Sequence, residues 1–254
     1  MYYCQKSFQE NELAINNKYF KYYLSPILLK NNFKHGFFTK TSSEINLSLL
    51  SNHLNLSTTN CVLNQIHSNK IVFGSKTQAN ERVEADGLFN DKHNQNLWIY
   101  TADCMPILFA DKRKRYVAAI HCGRKGLETK IIKNLIKLFN NIGCLKEDII
   151  VAIGPSISKK NYLIDQKTLQ NFYEQTAHKE SITCSEEERI LLKLKKEDSV
   201  PLNLKKYAFV QLLNENIPYS NIDISNLCTY ESNYDFYSWR RSKTPLRQWN
   251  FISS

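Results

Sequence analysis

Three short stretches of the chain carry side chains capable of catalysis at strand ends and loop entries, where α/β proteins build their sites. NQIHSNKIV (64–72) places His67 just before a short apolar run. TADCMPILFAD (101–111) sets Asp103 and Cys104 between two strand-length apolar runs. AAIHCGRKGL (118–127) ends an apolar run at His121 and enters a helical pattern. Two imidazoles and one thiolate are a zinc donor set, with bonds of about 2.0–2.1 Å to nitrogen and about 2.3 Å to sulfur. Three protein ligands leave one tetrahedral position open for water or substrate, as catalytic zinc sites do. A closed structural site needs a fourth ligand, for which Cys61, Cys122 and Cys228 are available. A further arrangement makes Cys104 a nucleophile and His121 its base, because a thiolate needs a neighbouring base or cation. Asp103 can orient a ligand imidazole or accept a proton, and it can equally cap a turn.

Positioning these groups falls to the block 97–154. LWIYT (97–101), MPILFAD (105–111) and RYVAAIH (115–121) read as strands. Leu127, Ile131, Leu135, Leu138 and Ile142 then recur at helical spacing, with Gly143 at the C-terminal stop. DIIVAIGP (148–155) reads as a buried strand, so strand, helix and strand suggest a βαβ crossover. Beyond it, 166–175 reads as helical and 178–200 as a charged surface excursion. Asn203 is placed to cap a helix that stops at Pro218, and 222–230 reads as a strand and its exit. The tail YSWRRSKTPLRQWNFI is basic and aromatic. The pattern predicts an α/β or α+β protein with mixed sheets.

The chain has 254 residues, enough to bury a sizeable core without disulfides or metal. Hydrophobic residues make up 42%, which excludes a disordered chain. With 34 Lys+Arg against 24 Asp+Glu, the net charge is +10, a field that attracts phosphates. The longest basic block is four residues, Lys112–Arg115, and dedicated nucleic-acid binding is not expected. The seven cysteines form no C-x-x-C pair, and MYYCQKSFQENELA lacks the apolar segment of a signal peptide. A reduced, cytoplasmic compartment is therefore expected, and no run of 18 apolar residues suggests a membrane span.

The order and wording of these motifs resemble the YfiH-like, or peptidoglycan-editing-factor-like, family, formerly labelled polyphenol oxidase or multicopper laccase. The resemblance runs through HGFFTK (35–40), QIHS (65–68), ADGL (85–88), TADCMPILFAD (101–111), IHCGRKGL (120–127), IGPSI (153–157), CTY (228–230) and FYSWRR (236–241). It implies one α/β domain over 1–254, of packed mixed sheets flanked by helices. It implies zinc (Zn2+) held by His67, Cys104 and His121, in a monomeric or homodimeric enzyme that uses purine nucleosides and phosphate. Members are described as phosphorylases of adenosine, inosine or methylthioadenosine with adenosine deaminase activity. The site is also similar in design to toxin-type Cys–His deamidases, which keeps a second reading open: a metal-independent amidase trimming cell-wall precursors, with Cys104 as nucleophile.

The chain departs from the family wording at the substrate side. Where the family reads H-A-G-W-R-G, residues 121–126 are His-Cys-Gly-Arg-Lys-Gly. Ser156 replaces the usual Cys after Gly-Pro, and Ser68 the usual Gly after Q-x-H. Lys40, Arg124, Lys125, Arg240, Arg241 and Arg247 are the candidates to hold phosphate or ribose oxygens. The six histidines (35, 53, 67, 93, 121 and 178) are scattered without an H-x-H pair, which argues against a laccase.

Overall fold

In the computed structural model, residues 4–77, 82–176 and 199–253 are described. Six strands form a first mixed sheet: β1 (Gln9–Ile15), β2 (Lys18–Leu24), β3 (His35–Phe38), β4 (Thr59–Val62), β7 (Gln95–Thr101) and β14 (Gln248–Ser253). Their order is β1-β2-β3-β14-β7-β4. A second mixed sheet holds β5 (Ile71–Phe73), β6 (Gly87–Phe89), β8 (Met105–Asp111), β9 (Val117–Cys122), β10 (Ile149–Ile153) and β13 (Ile222–Ile224). It runs β13-β10-β8-β9-β6-β5. A small ribbon pairs β11 (Leu163–Asp165) with β12 (Ser199–Pro201). Among the described residues the α-helices are α1 (Pro26–Lys30), α2 (Leu47–His53), α3 (Arg124–Glu128), α4 (Ile131–Asn141), α5 (Gln166–Thr176), α6 (Leu204–Asn214) and α7 (Trp239–Ser242).

The continuous apolar runs of β8, β9 and β10 follow from burial on both faces. Ile107, Phe109, Ile120, Val151 and Ile153 pack toward the layer that contains Ile131, Leu135, Phe139 and Leu212 of α4 and α6. The alternate residues, Leu108, Ala110, Ala119, Ile150 and Ala152, face Phe37, Leu97 and Ile99 of the first sheet. The sheets approach closely enough that a Cβ on Gly154 would lie 2.3 Å from Phe37. A third cluster, including Phe38, Trp98, Phe251 and Leu50, covers the outer face of the first sheet. The fold is thus a mixed α/β one, as the residue pattern predicts, with the packed sheets and flanking helices that the resemblance implies.

Both β9 and β10 pair antiparallel with β8, so they run parallel with β8 between them. This is the expected crossover. The helix expected from Leu127 onward is in fact two, because Lys130 adopts φ 62° and turns the chain between α3 and α4. The side chain of Asn203 accepts from the Lys206 N–H and caps α6 as expected. The stretch 178–200 lies outside the described residues except where its end enters β12. No helix among the described residues is long and apolar enough to cross a membrane. The six described cysteines are all free thiols.

Candidate active site

The antiparallel register of β8 and β9 sets Met105 opposite Cys122 and Pro106 opposite His121. Cys104, in the turn before β8, is thereby delivered beside His121 at the end of β9. His67 arrives from the loop between β4 and β5. The three ligand atoms lie within 4.8 Å of one another, with Cys104 Sγ 3.8 Å from His67 Nε2. Ligand atoms on a tetrahedral zinc-sized ion stand ~3.5 Å apart, given bonds of about 2.0–2.3 Å. The trio therefore fits around one metal ion. It is the one such group among the described residues, so none of them adds a fourth ligand. Gly123 permits the approach: a Cβ there would stand 2.7 Å from Cys104 Sγ.

A buried carboxylate that sequence reasoning missed organises the trio. Asp86 Oδ1 accepts from His121 Nδ1 (2.8 Å) and from the His67 N–H (3.0 Å). Its Oδ2 accepts from the Ser68 Oγ–H (2.8 Å), the Ser68 N–H and the Ile66 N–H. One side chain thus fixes the tautomer of one imidazole, leaving Nε2 to the ion, and the backbone of the other. His67 is held at φ 61°, a left-handed conformation that persists only where the surroundings impose it. Burial alone would raise the Asp86 carboxyl, but hydrogen bonds from His121 and Ser68 outweigh it and hold it at about 2. The signal for Asp86 lay in ADGL, a segment of the resemblance that carries an acid before a buried strand.

Burial also opposes ionisation of Cys104, yet the His121 and His67 imidazoles prevail and bring the thiol down to about 6. Burial likewise opposes charge on His121, and Cys104 and Asp86 overcome it, lifting the imidazole to about 9. Without metal the pair is therefore a Cys104 thiolate beside a protonated His121; a bound ion would take the thiolate and displace the imidazole proton.

The trio lies in a pocket of about 530 Å³. Of the basic candidates, Arg124, Lys125, Arg240 and Arg247 line it. Lys40 does not: its N–H is tied to Asp235 O (2.7 Å) and its Nζ to Asn233 O (3.0 Å), and it borders a separate groove with Tyr19 and Tyr237. Arg241 is also turned away, its guanidinium donating to the carbonyls of Thr229, Tyr230 and Phe236. Arg240 and Arg241 diverge because they occupy successive positions of the short helix α7. Tyr100, Tyr162 and Trp239 add aromatic walls that sequence reasoning did not single out. The Arg240 guanidinium stands 5.0 Å from the Tyr162 ring centre and that of Arg247 5.5 Å from Trp239. Asp103 lines the pocket too, but its oxygens accept from Thr229 Oγ (2.7 Å), Ser238 Oγ (3.0 Å) and the Arg240 N–H (2.7 Å). The carboxylate on an imidazole is Asp86.

Comparison with known proteins agrees with this architecture. Residues 39–254 match the family model described as multi-copper polyphenol oxidoreductase laccase. A protein of Clostridium acetobutylicum named purine nucleoside phosphorylase is 32% identical over 193 residues, 75% of each chain. One of the same name from Haemophilus influenzae is 28% identical over 231 residues, 90% of this chain and 88% of that one. Among solved structures, YlmD from Geobacillus stearothermophilus superposes with a TM-score of 0.80 at 24% identity, covering 95% of this chain and 98% of that one. The YfiH protein of Bacillus licheniformis gives 0.78 at 22%, covering 91% and 96%. With its His-Cys-His cluster, its two packed mixed sheets and a family match over most of its length, the chain belongs to this YfiH-like family.

Proposed function

We propose that residues 1–254 act as one catalytic domain, a zinc-dependent purine nucleoside phosphorylase acting on adenosine, inosine and methylthioadenosine, with adenosine deaminase activity. The observation that carries this reading is the His67–Cys104–His121 cluster inside a pocket walled by aromatic rings and four basic side chains. The names of the relatives support it. A zinc ion held by these three residues supplies Lewis acidity at an open coordination position.

The chain's own groups do the rest. Trp239 and Tyr162 offer faces on which a purine stacks. Arg124, Lys125, Arg240 and Arg247 hold inorganic phosphate against C1′ of the ribose, Arg by paired donors and Lys as a point charge. Phosphorolysis then forms a C1′–O bond as the bond to the purine nitrogen breaks, and the base leaves with a proton. Deamination exchanges the C6 amino group for oxygen from water and releases ammonia. Free thiols on all six described cysteines support a reduced, cytoplasmic setting.

The test is incubation with each nucleoside, with and without phosphate, and identification of products before and after chelation. Ribose 1-phosphate and free base that appear only with phosphate, vanish on chelation and return with zinc are expected. Nucleosides left intact by the zinc-loaded protein would overturn the reading. The alternative, a Cys–His amidase acting on cell-wall precursors, draws on the lowered Cys104 thiol beside His121. It requires full activity in metal-free protein and an acyl adduct on Cys104.

A further inference from the structure

Asp103 stands next to Cys104 in the chain, yet its carboxylate is directed into the protein. Its oxygens take three donors: the Thr229 hydroxyl, the Ser238 hydroxyl and the Arg240 N–H. Thr229 and Ser238 are fully buried, and Asp103 is 7% exposed. The Asp103 carbonyl also accepts from the Ile157 N–H (3.0 Å). The turn before β8, the loop after β10 and the segment 228–241 therefore meet at this one residue. The backbone at Asp103 has φ 89°, a conformation that an L-residue keeps only when its surroundings impose it.

These contacts govern α7. That helix is a single turn of four residues, too short to hold its own orientation. The Ser238 hydroxyl donates to Asp103 and accepts from the Arg241 N–H, so carboxylate and hydroxyl cap the turn in relay. Trp239 and Arg240, the next two residues, line the pocket. The Arg241 guanidinium on the Thr229, Tyr230 and Phe236 carbonyls closes the same loop from behind.

We propose that Asp103 is a positioning residue that latches α7 to the turn carrying Cys104, and so sets the Trp239–Arg240 wall against which the substrate binds. It exchanges no proton with substrate. A general base needs its substrate proton within about 2.6–3.2 Å. Here the contacts within that distance are already given to Thr229, Ser238 and Arg240. The naming of the substrate as a nucleoside rests on the function proposed above; the latch itself does not.

Two substitutions separate positioning from proton transfer. Asp103→Gly removes the carboxylate and accepts the positive φ. Asp103→Asn preserves the shape: its amide oxygen accepts from Ser238 and Arg240, and its amide N–H donates to the Thr229 hydroxyl, which can accept. In adenosine phosphorolysis, the glycine variant should raise KM by about tenfold or more with a smaller change in kcat, the signature of lost binding. The asparagine variant should restore KM and kcat to within about threefold of the parent. Zinc content should stay unchanged in both. A loss of kcat of about 100-fold or more in the asparagine variant, the scale of general acid–base catalysis, would overturn the proposal.

A readout independent of turnover is acrylamide quenching of Trp239, taken as the difference between each protein and its Trp239→Phe counterpart. Quenching should rise in the glycine variant and not in the asparagine variant. Equal quenching in all three would refute the latch even if no nucleoside is turned over. Ser238→Ala removes one donor from the opposite side. It should move quenching and KM in the same direction, and it serves if the glycine variant fails to fold.

Discussion

Replacing Asp86 by asparagine should unseat both imidazoles at once. The carboxylate is fully buried and accepts five hydrogen bonds, two on Oδ1 and three on Oδ2. An amide keeps one accepting oxygen and turns the other position into a donor. With the amide nitrogen in the Oδ1 place, it faces the His121 Nδ1–H and the His67 N–H. In the other orientation it faces the Ser68 and Ile66 N–H groups, since only the Ser68 hydroxyl can reverse. The first arrangement is the milder in metal-free protein, because His121 can carry its proton on Nε2 and accept at Nδ1, so the His67 N–H alone loses its acceptor, at about 1–3 kcal/mol. The variant should therefore unfold with about 1–3 kcal/mol less stability. Loss of the carboxylate behind a ligand imidazole should also weaken metal binding by about 10–100-fold, or about 1.4–2.7 kcal/mol. Denaturant unfolding of the metal-free protein measures the first quantity. Competition for zinc against a chromophoric chelator measures the second. Zinc affinity within about twofold of the parent would refute the view that outer hydrogen bonds hold this donor set.

Two further outcomes follow from the same structure. Gly123→Ala places a methyl 2.7 Å from Cys104 Sγ, so the sulfur must move off the ligand position; cobalt-substituted protein should lose intensity in its thiolate-to-metal absorption band, and an unchanged band would refute the close approach. Buried His35 accepts from the Ser25 N–H through Nε2 and donates through Nδ1 to Phe33 O, both at 2.8 Å, and burial pushes it down to about 4. An unfolded His35 takes its proton near pH 6.5, so between about 6.5 and 4 the unfolded chain binds more protons and stability falls with pH, by about 3 kcal/mol in all. Urea unfolding across that range checks this, and a fall of equal steepness in His35→Gln would refute the assignment to His35.

The block 97–154 was legible because its strands are covered on both faces, which turns the sequence into unbroken apolar runs between polar turns. That His67, Cys104 and His121 come together was legible because they are chemically distinctive residues at run ends. Asp86 was not, since an aspartate beside a glycine reads as a turn, and its role exists only once His121 returns 35 residues later to meet it. Lys40 and Arg241 show the converse. Both are cations close to motif residues, and both are withdrawn by backbone carbonyls that no local pattern reveals. The break at Lys130 carries no sequence signal either, as lysine is an ordinary helix residue and the left-handed turn there answers to packing. The tail read only as basic and aromatic, with no element assigned, whereas its end is a central strand of the first sheet.

The place of β14 bears on how the chain is assembled. It alone joins the β1-β2-β3 meander to the β7-β4 pair, hydrogen-bonding to β3 on one side and β7 on the other. During synthesis these two halves are made early but have no shared edge until residue 253 has emerged. Until then β3 and β7 each present an open edge, the kind of surface that recruits foreign strands. Closing the gap requires contacts across more than two hundred residues, as between Phe37 and Asn250. This topology is expected to favour early pairing within the central block 97–154 and late insertion of β14, the stage at which aggregation would compete.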